Sequence, residues 1–175
     1  MRVLAISGSL RAVSTNTALL KAAMQLTPNG MVIDFYDGLA ALPHFNPDDD
    51  VDPWPAPVAD LRRRIGDADG LLISSPEYAR GVPGSLKNAL DWLVSSEEFA
   101  GKPVAFLHAS ERGVASQAAL RLILETMSAR MIEDATITVP LLGKQADADA
   151  IAADQVLAPR LRAALKAFAD QASKR

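Results

Sequence analysis

Strand-like and helix-like segments alternate along the whole of this 175-residue chain, and this alternation constrains its fold more than any other feature. Short apolar runs predict five strands, at residues 2–6, 31–36, 71–73, 104–107 and 136–139. Between these runs, and after the last one, leucine and alanine recur at helical spacing. Such alternation is typical of a parallel sheet with helices on both faces. We therefore predict one α/β domain over residues 1–175.

The helix boundaries follow from capping and helix-breaking residues. Ser14 or Thr15 is expected to cap the first helix, and Gly66 is expected to end the second. Ser85 is expected to cap the third helix. Pro159 precedes the apolar face of the last helix, so it either starts that helix or kinks a longer one.

Right-handed crossovers leave few ways to connect such a chain. We predict a flavodoxin-like, doubly wound, five-stranded sheet in the order 2-1-3-4-5. In this order the loops after the first and third strands lie side by side. Both loops carry glycine and polar residues, so together they are the predicted ligand site.

Composition excludes several classes of function. The chain has no cysteine, which rules out thiol catalysis, thiolate metal sites and disulfides. Its two histidines, His44 and His108, stand far apart, so no metal site is expected. A net charge of −3 disfavours a nucleic-acid binder. No apolar run approaches the length of a membrane-spanning helix, and the N-terminal stretch at residues 1–6 is too short for a signal peptide. We therefore expect a cytoplasmic protein.

The first loop has the composition of an anion site. Hydroxyl, amide and guanidinium groups crowd residues 7–17: Ser7, Ser9, Arg11, Ser14, Thr15, Asn16 and Thr17. Such groups, with free N–H groups at a helix N-terminus, favour a phosphate. The loop matches neither the Walker A pattern nor G-x-G-x-x-G, since Gly8 is its only glycine. An ordinary solvated turn with a helix cap remains the alternative.

Two stretches carry a family resemblance. Gly8-Ser-Leu-Arg-Ala-Val-Ser-Thr-Asn16 resembles the phosphate loop of the NADPH-dependent FMN reductase family. Pro76-Glu-Tyr78, followed by Gly81-Val-Pro-Gly-Ser-Leu-Lys-Asn-Ala-Leu-Asp-Trp92, resembles the second signature of that family. The family has a flavodoxin-like fold and includes quinone, azo-dye and chromate reductases. The resemblance extends to the order of elements over nearly the whole chain.

The resemblance implies a set of cofactor-binding residues. The FMN phosphate would be held by residues of the first loop: Ser9, Arg11, Ser14, Thr15 and Asn16. The isoalloxazine ring would be bordered by Pro76, Glu77, Tyr78, Ala79, Arg80 and Gly81. Many members have asparagine where this chain has Ala79, so only the backbone is expected to contact the ring there. In the loop after the fourth strand, Ser110 or Arg112 is a further candidate to line the site, with a plain solvated loop as the alternative.

The implied activity is hydride transfer from NADPH or NADH to FMN and then to an acceptor such as free flavin, a quinone, an azo compound or a metal oxyanion. The cofactor carries that chemistry, so we expect no indispensable acid–base residue and no catalytic side chain. The resemblance also implies a homodimer or homotetramer. A flavodoxin-type electron carrier is the alternative, although such carriers are typically more acidic and frame the ring with aromatic residues. A receiver domain would need an acidic cluster at the strand ends, and the first and third strands here end in serine.

Residues 37–57 form a long irregular segment with five prolines. Loops of this length in compact domains are usually functional or mobile. Trp54 or Phe45 would reach over the cofactor loop of a neighbouring subunit in one interpretation. In the other they pack locally against their own chain.

Overall fold

The sheet of our computed structural model, which describes residues 1–141 and 147–173, contains six strands. They are β1 (Arg2–Ser7), β2 (Val32–Tyr36), β3 (Gly70–Ser74), β4 (Pro103–His108), β5 (Arg130–Met131) and β6 (Ile137–Thr138). The strands run in the order β2-β1-β3-β4-β5, β6 also pairs with β4, and every pairing is parallel. The predicted flavodoxin-like order is confirmed.

The predicted fifth strand was incomplete. Instead of one strand at 136–139, the structure has β5 and β6, separated by a 3₁₀ turn at Glu133–Ala135. The backbone N–H of Phe106 in β4 donates to the hydroxyl of Thr136 at 3.2 Å, where a continuous strand would offer a carbonyl. A side-chain hydroxyl thus replaces one backbone acceptor of the sheet, and the edge strand is divided into β5 and β6.

Six helices flank the sheet within the described residues. They are α1 (Thr15–Gln25), α2 (Ala56–Asp67), α3 (Gly84–Asp91), α4 (Val114–Thr126), α5 (Ala148–Ala153) and α6 (Leu157–Ala172). Helices α1, α5 and α6 contribute to one apolar cluster, and α2, α3 and α4 to the other. Strand β1 supplies Val3 and Ala5 to the first cluster and Leu4 and Ile6 to the second, as expected of a central strand.

Some helix boundaries differ from expectation. Ser14 caps α1 as predicted, and Pro159 lies in the first turn of α6, so it starts that helix. Gly66 does not end α2, which continues to Asp67. Ser85 is not a cap, because α3 begins at Gly84, directly after Pro83. Helix α5 was missed, because its six residues are too few to show a periodic apolar face.

The segment at 37–57 was predicted to be irregular, but it contains two 3₁₀ helices, Gly38–Ala41 and Pro47–Asp49, and its last two residues begin α2. The segment packs against its own chain. The side chains of Asn88 and Trp92 donate to the carbonyl of Pro43 at 2.8 and 2.9 Å, and the Asn88 amide oxygen accepts from the Phe45 N–H at 2.7 Å. The ring of Phe45 meets that of Trp92 edge-on at 5.1 Å. The Trp54 ring lies 4.4 Å below the Arg62 guanidinium. The local-packing interpretation therefore describes both aromatic residues.

Among the described residues, none of the helices is both long and apolar enough to cross a membrane. Over the same ranges, no group of three or more His, Cys, Asp or Glu side chains is placed to hold a metal ion.

His108, at the end of β4, makes the stability of the fold depend on pH. Burial, and then the nearby charge of Arg121, lower its pKa from 6.5 to about 4. The unfolded chain therefore takes up a proton before the folded chain does, and stability falls as the pH drops from about 6.5 toward 4. Urea unfolding at several pH values should show this loss, and His108→Gln should reduce it. The exposed His44, changed to glutamine, is the control and should leave the loss unchanged.

Candidate functional site

The loops after β1 and β3 meet at the carboxyl edge of the sheet. The N–H of Gly8 donates to the carbonyl of Ser74 at 2.8 Å. A Cβ atom on Gly8 would lie only 2.4 Å from the Ser75 hydroxyl, so the approach of the two loops requires glycine at this position. The predicted adjacency of the two loops is thus present, at the point where the strand order reverses.

The first loop presents hydroxyl groups and one cation at the start of α1. The Ser14 hydroxyl oxygen accepts from the N–H of Thr17 at 3.4 Å, and that of Ser9 accepts from the N–H of Arg11 at 3.4 Å. Neither hydroxyl donates to another residue within 1–141 and 147–173, so each has a hydrogen to offer a ligand. Thr15 is the first residue of α1, where backbone N–H groups have no helical acceptor. The structure therefore brings together most of the predicted phosphate-binding residues.

Asn16 has a further role that the sequence did not indicate. Its side chain is buried, and its amide oxygen accepts from the hydroxyl of Ser74 at 3.0 Å. This bond ties α1 to the end of β3. The Nδ2 group of Asn16 makes no hydrogen bond within residues 1–141 and 147–173, so it is the part of the side chain left for a phosphate. That contact stays a prediction.

The second loop contains a tight turn. Tyr78 and Gly81 exchange backbone hydrogen bonds of 3.1 and 2.9 Å, and the two residues between them have positive φ, 49° at Ala79 and 63° at Arg80. Two positive φ angles define a type I′ turn, which favours Asn-Gly. The ring of Tyr78 is exposed beside this turn. Neither Ala79 nor Arg80 suits this backbone, so the hydrogen bonds hold a strained turn.

Replacing Ala79 with asparagine is expected to stabilise the protein. The left-handed region costs most residues about 1–2 kcal/mol, and asparagine tolerates it better than alanine does. Ala79→Asn should therefore raise the free energy of unfolding by about 1 kcal/mol, measured by urea denaturation. Ala40→Asn is a suitable control, because Ala40 is also exposed and does not have positive φ. An equal effect at both positions would contradict the explanation by strain.

Glu77 connects the second loop to α4. Its carboxylate accepts from the N–H of Ser116, in the first turn of α4, at 2.9 Å, and the Ser116 hydroxyl donates to the carbonyl of Pro76 at 3.3 Å. The residue before α4, Gly113, has no side chain to cap the helix. Glu77 thus caps α4 from another loop. Its side chain thus contacts α4, and its place at the border of the ring stays a prediction.

The loop after β4 completes the site. The hydroxyl of Ser110 accepts from the N–H of Arg112 at 3.0 Å, and the carbonyl of Ser110 accepts from the Gln117 amide at 3.3 Å. A Cβ on Gly113 would lie 3.8 Å from the Cβ of Glu77, so this loop lies beside the second one. Gly113 therefore lies beside the predicted ring-binding loop, and the contact of Ser110 with a cofactor stays a prediction.

Comparison with known proteins identifies a matching family and several relatives of this chain. The family model described as NADPH-dependent FMN reductase matches residues 1–142. An NAD(P)H-dependent FMN reductase of Pseudomonas aeruginosa is 44% identical over 112 residues, which cover 63% of this chain and 60% of that protein. A quinone reductase of Escherichia coli strain K12 is 36% identical over 117 residues, covering 65% and 62%. The chain thus spans about three fifths of the length of these curated relatives.

Solved structures cover more of the chain. FerB, a flavoenzyme NAD(P)H:(acceptor) oxidoreductase from Paracoccus denitrificans, superimposes with a TM-score of 0.80 at 31% identity, over 99% of this chain and 97% of that one. An azoreductase from Bacillus anthracis superimposes with a TM-score of 0.58 at 16% identity, over 100% of both chains. The second likeness shows the shared fold alone.

Proposed function

This chain belongs to the NADPH-dependent FMN reductase family, and we propose that it is an FMN-dependent oxidoreductase that passes hydride from NADPH or NADH to a small-molecule electron acceptor. One observation carries the proposal: a hydroxyl-rich, cationic loop at the start of α1 contacts the loop that leads to the Tyr78–Gly81 turn. A mononucleotide with a terminal phosphate and a flat ring fits such a pair of loops.

The chemistry of the first loop suits the phosphate of FMN. Ser9 and Ser14 have hydroxyl hydrogens to donate, and the Arg11 guanidinium is exposed, with neither a hydrogen bond nor an ion pair to any other described residue. The positive end of α1 adds to the attraction for an anion. These donors would hold the phosphate, with Thr15 and the Nδ2 group of Asn16 as further contacts.

The second loop would hold the ring. The stretch from Pro76 to Gly81 presents backbone groups and the Tyr78 side chain, and Glu77 fixes its position through Ser116. FMN, when bound, supplies the redox chemistry, and the residues around it supply orientation and electrostatics. None of the side chains in these loops has to act as an acid or a base. Ser110 would approach from the loop after β4.

The absorption spectrum of the purified protein tests this function. The protein should bind FMN, identified by the mass of the released cofactor, and should then oxidise NADPH or NADH in the presence of a quinone. Release of FAD, or no flavin binding, would contradict the proposal. FMN binding without oxidation of either nucleotide would leave the alternative, a flavodoxin-type electron carrier. Free flavin, quinones, azo compounds and metal oxyanions are the acceptors to compare. Since the proposed donor is an intracellular metabolite, we also propose a cytoplasmic location.

We further propose that the protein is a homodimer or homotetramer. On α4, Val114, Ala118 and Leu122 recur every four residues and form one exposed stripe, with Val114 at 67% and Leu122 at 66% exposure. Large apolar side chains in one stripe are typical of a contact surface. Light scattering at micromolar concentration should give a mass of at least twice the 18.6 kDa of one chain. Leu122→Glu should shift the mass toward that of the monomer. A monomeric mass for the unchanged protein would contradict the proposal.

A further inference from the structure

Among the described arginines, seven have a partner and four do not. Within residues 1–141 and 147–173, the side chains of Arg11, Arg80, Arg112 and Arg162 make neither an ion pair nor a hydrogen bond. The others donate to a carboxylate or a backbone carbonyl: Arg2, Arg62, Arg63, Arg64, Arg121, Arg130 and Arg160.

Three of the four unpartnered arginines lie at one edge of the sheet. Arg11 follows β1, Arg80 follows β3, and Arg112 follows β4, so the carboxyl ends of three adjacent parallel strands lead to them. Arg162 lies elsewhere, on α6. The proposed function assigns Arg11 to the FMN phosphate. It gives the guanidinium groups of Arg80 and Arg112 no ligand.

The loops of Arg80 and Arg112 are held against each other. Glu77, on the second loop with Arg80, accepts from the N–H of Ser116 at 2.9 Å. Gly113, next to Arg112, lies beside Glu77. The Glu77 carboxylate is therefore committed to α4. Glu111 is the other carboxylate on these two loops, and it forms no ion pair with either arginine within the described part of the chain. Both guanidinium groups are exposed and available.

The backbone at Arg80 is a second, independent observation. Its φ of 63° is a conformation in which glycine would be unstrained. An arginine in this position is strained, because its Cβ atom crowds the following carbonyl oxygen. Residues held in such conformations cluster at ligand-binding sites, where the strain is offset by function. The strained residue is a cation at the tip of the turn that begins at the exposed Tyr78.

We propose that Arg80 and Arg112 form an anion-binding subsite at the rim of the flavin site, distinct from the phosphate loop of Arg11. This proposal rests on the proposed function, because its ligand is the molecule that exchanges hydride with FMN. The anion is either a phosphate of the nicotinamide nucleotide or a charged group of the acceptor. Arginine suits both, since its planar guanidinium binds phosphates, carboxylates and sulfonates through paired N–H groups.

The test compares Arg80→Gln, Arg112→Gln and the double variant with Arg162→Gln, which removes an equally unpartnered arginine from α6. Glutamine keeps a side chain at position 80, so the strain of the turn is unchanged. The two half-reactions of the FMN-loaded protein are followed separately by stopped flow. NADH and NADPH are compared in the reductive half, and a neutral naphthoquinone and its sulfonated derivative in the oxidative half.

In the double variant, the rate constant of one half-reaction should fall about three- to tenfold, as expected for two exposed charge contacts. A loss with the nucleotides identifies the donor's phosphate as the anion. If the rate constant for the sulfonated quinone falls relative to that for the neutral quinone, the anion is a charged group of the acceptor instead. The loss should shrink at high salt. Equilibrium binding of NADP⁺ and of the sulfonated quinone to the oxidised, FMN-loaded protein should weaken in parallel.

Two outcomes overturn the proposal in different ways. If the unchanged protein binds FMN and turns over, but the double variant matches Arg162→Gln in both half-reactions and in binding, the subsite is refuted alone. If the unchanged protein binds no FMN, the proposed function fails and the subsite fails with it.

Discussion

Replacing Asp50 with alanine is expected to lower the free energy of unfolding by about 3–5 kcal/mol, because it leaves a buried cation without its partner. The Arg62 guanidinium donates to Asp50 at 2.7 Å, and the two side chains are only 7% and 12% exposed. Asp50 also accepts from the Trp54 indole N–H at 3.1 Å and from the Ser95 hydroxyl at 2.6 Å. The carboxylate thus satisfies three donors from different parts of the chain.

Urea denaturation of Asp50→Ala measures this loss. The double variant Asp50→Ala/Arg62→Met should recover part of it, because removing both charges avoids the uncompensated one. Arg63→Ala is the control, since Arg63 follows on the same helix but lies 60% exposed, and its loss should leave the unfolding midpoint in place. A double variant that is less stable than Asp50→Ala would contradict the argument.

Arg11→Ala should weaken FMN binding about 10- to 150-fold. A hydrogen bond to a charged group is worth about 1.5–3 kcal/mol, and the loss of one accounts for this range. The Arg11 side chain makes no hydrogen bond or ion pair with the described remainder of the chain, so its removal breaks no internal polar contact.

Titration of FMN into apoprotein, followed by flavin fluorescence, gives the two dissociation constants. Thermal unfolding of the two apoproteins should coincide, which separates a binding effect from a folding effect. Arg162→Ala serves as the matched control, because it removes an unpartnered arginine far from the loop. An unchanged Kd in Arg11→Ala would place the phosphate elsewhere.

Much of this architecture could be predicted from the sequence. The apolar runs identified β1 to β4, because a buried parallel strand leaves a short, uninterrupted apolar signature. The adjacency of the two cofactor loops then followed from the strand order. Ser14 was identified as a cap because capping depends on residues only three apart, Ser14 and Thr17.

The rest depended on contacts between distant parts of the chain. Glu77 and Ser116 are 39 residues apart, and Asn16 and Ser74 are 58 apart. No local pattern reports such pairs. The division into β5 and β6 also depends on a tertiary bond, from Phe106 to Thr136, 30 residues away. One local feature points toward the Glu77–Ser116 contact. Gly113, which precedes α4, has no side chain to cap that helix, so α4 needs an acceptor from another part of the chain.

The Asp50–Arg62 pair also determines how the segment at 37–57 can open. The pair joins this segment to α2, and the Ser95 hydroxyl joins it to the chain after α3. The Pro43 carbonyl accepts from Asn88 in α3 and from Trp92 directly after it. Segments that share buried contacts open together as one cooperative unit. Amide hydrogens at these anchor points should therefore exchange at the rate of α2 and α3. A protease meets a proline-rich stretch that is exposed along much of its length, yet its cleavage requires the opening of two helices.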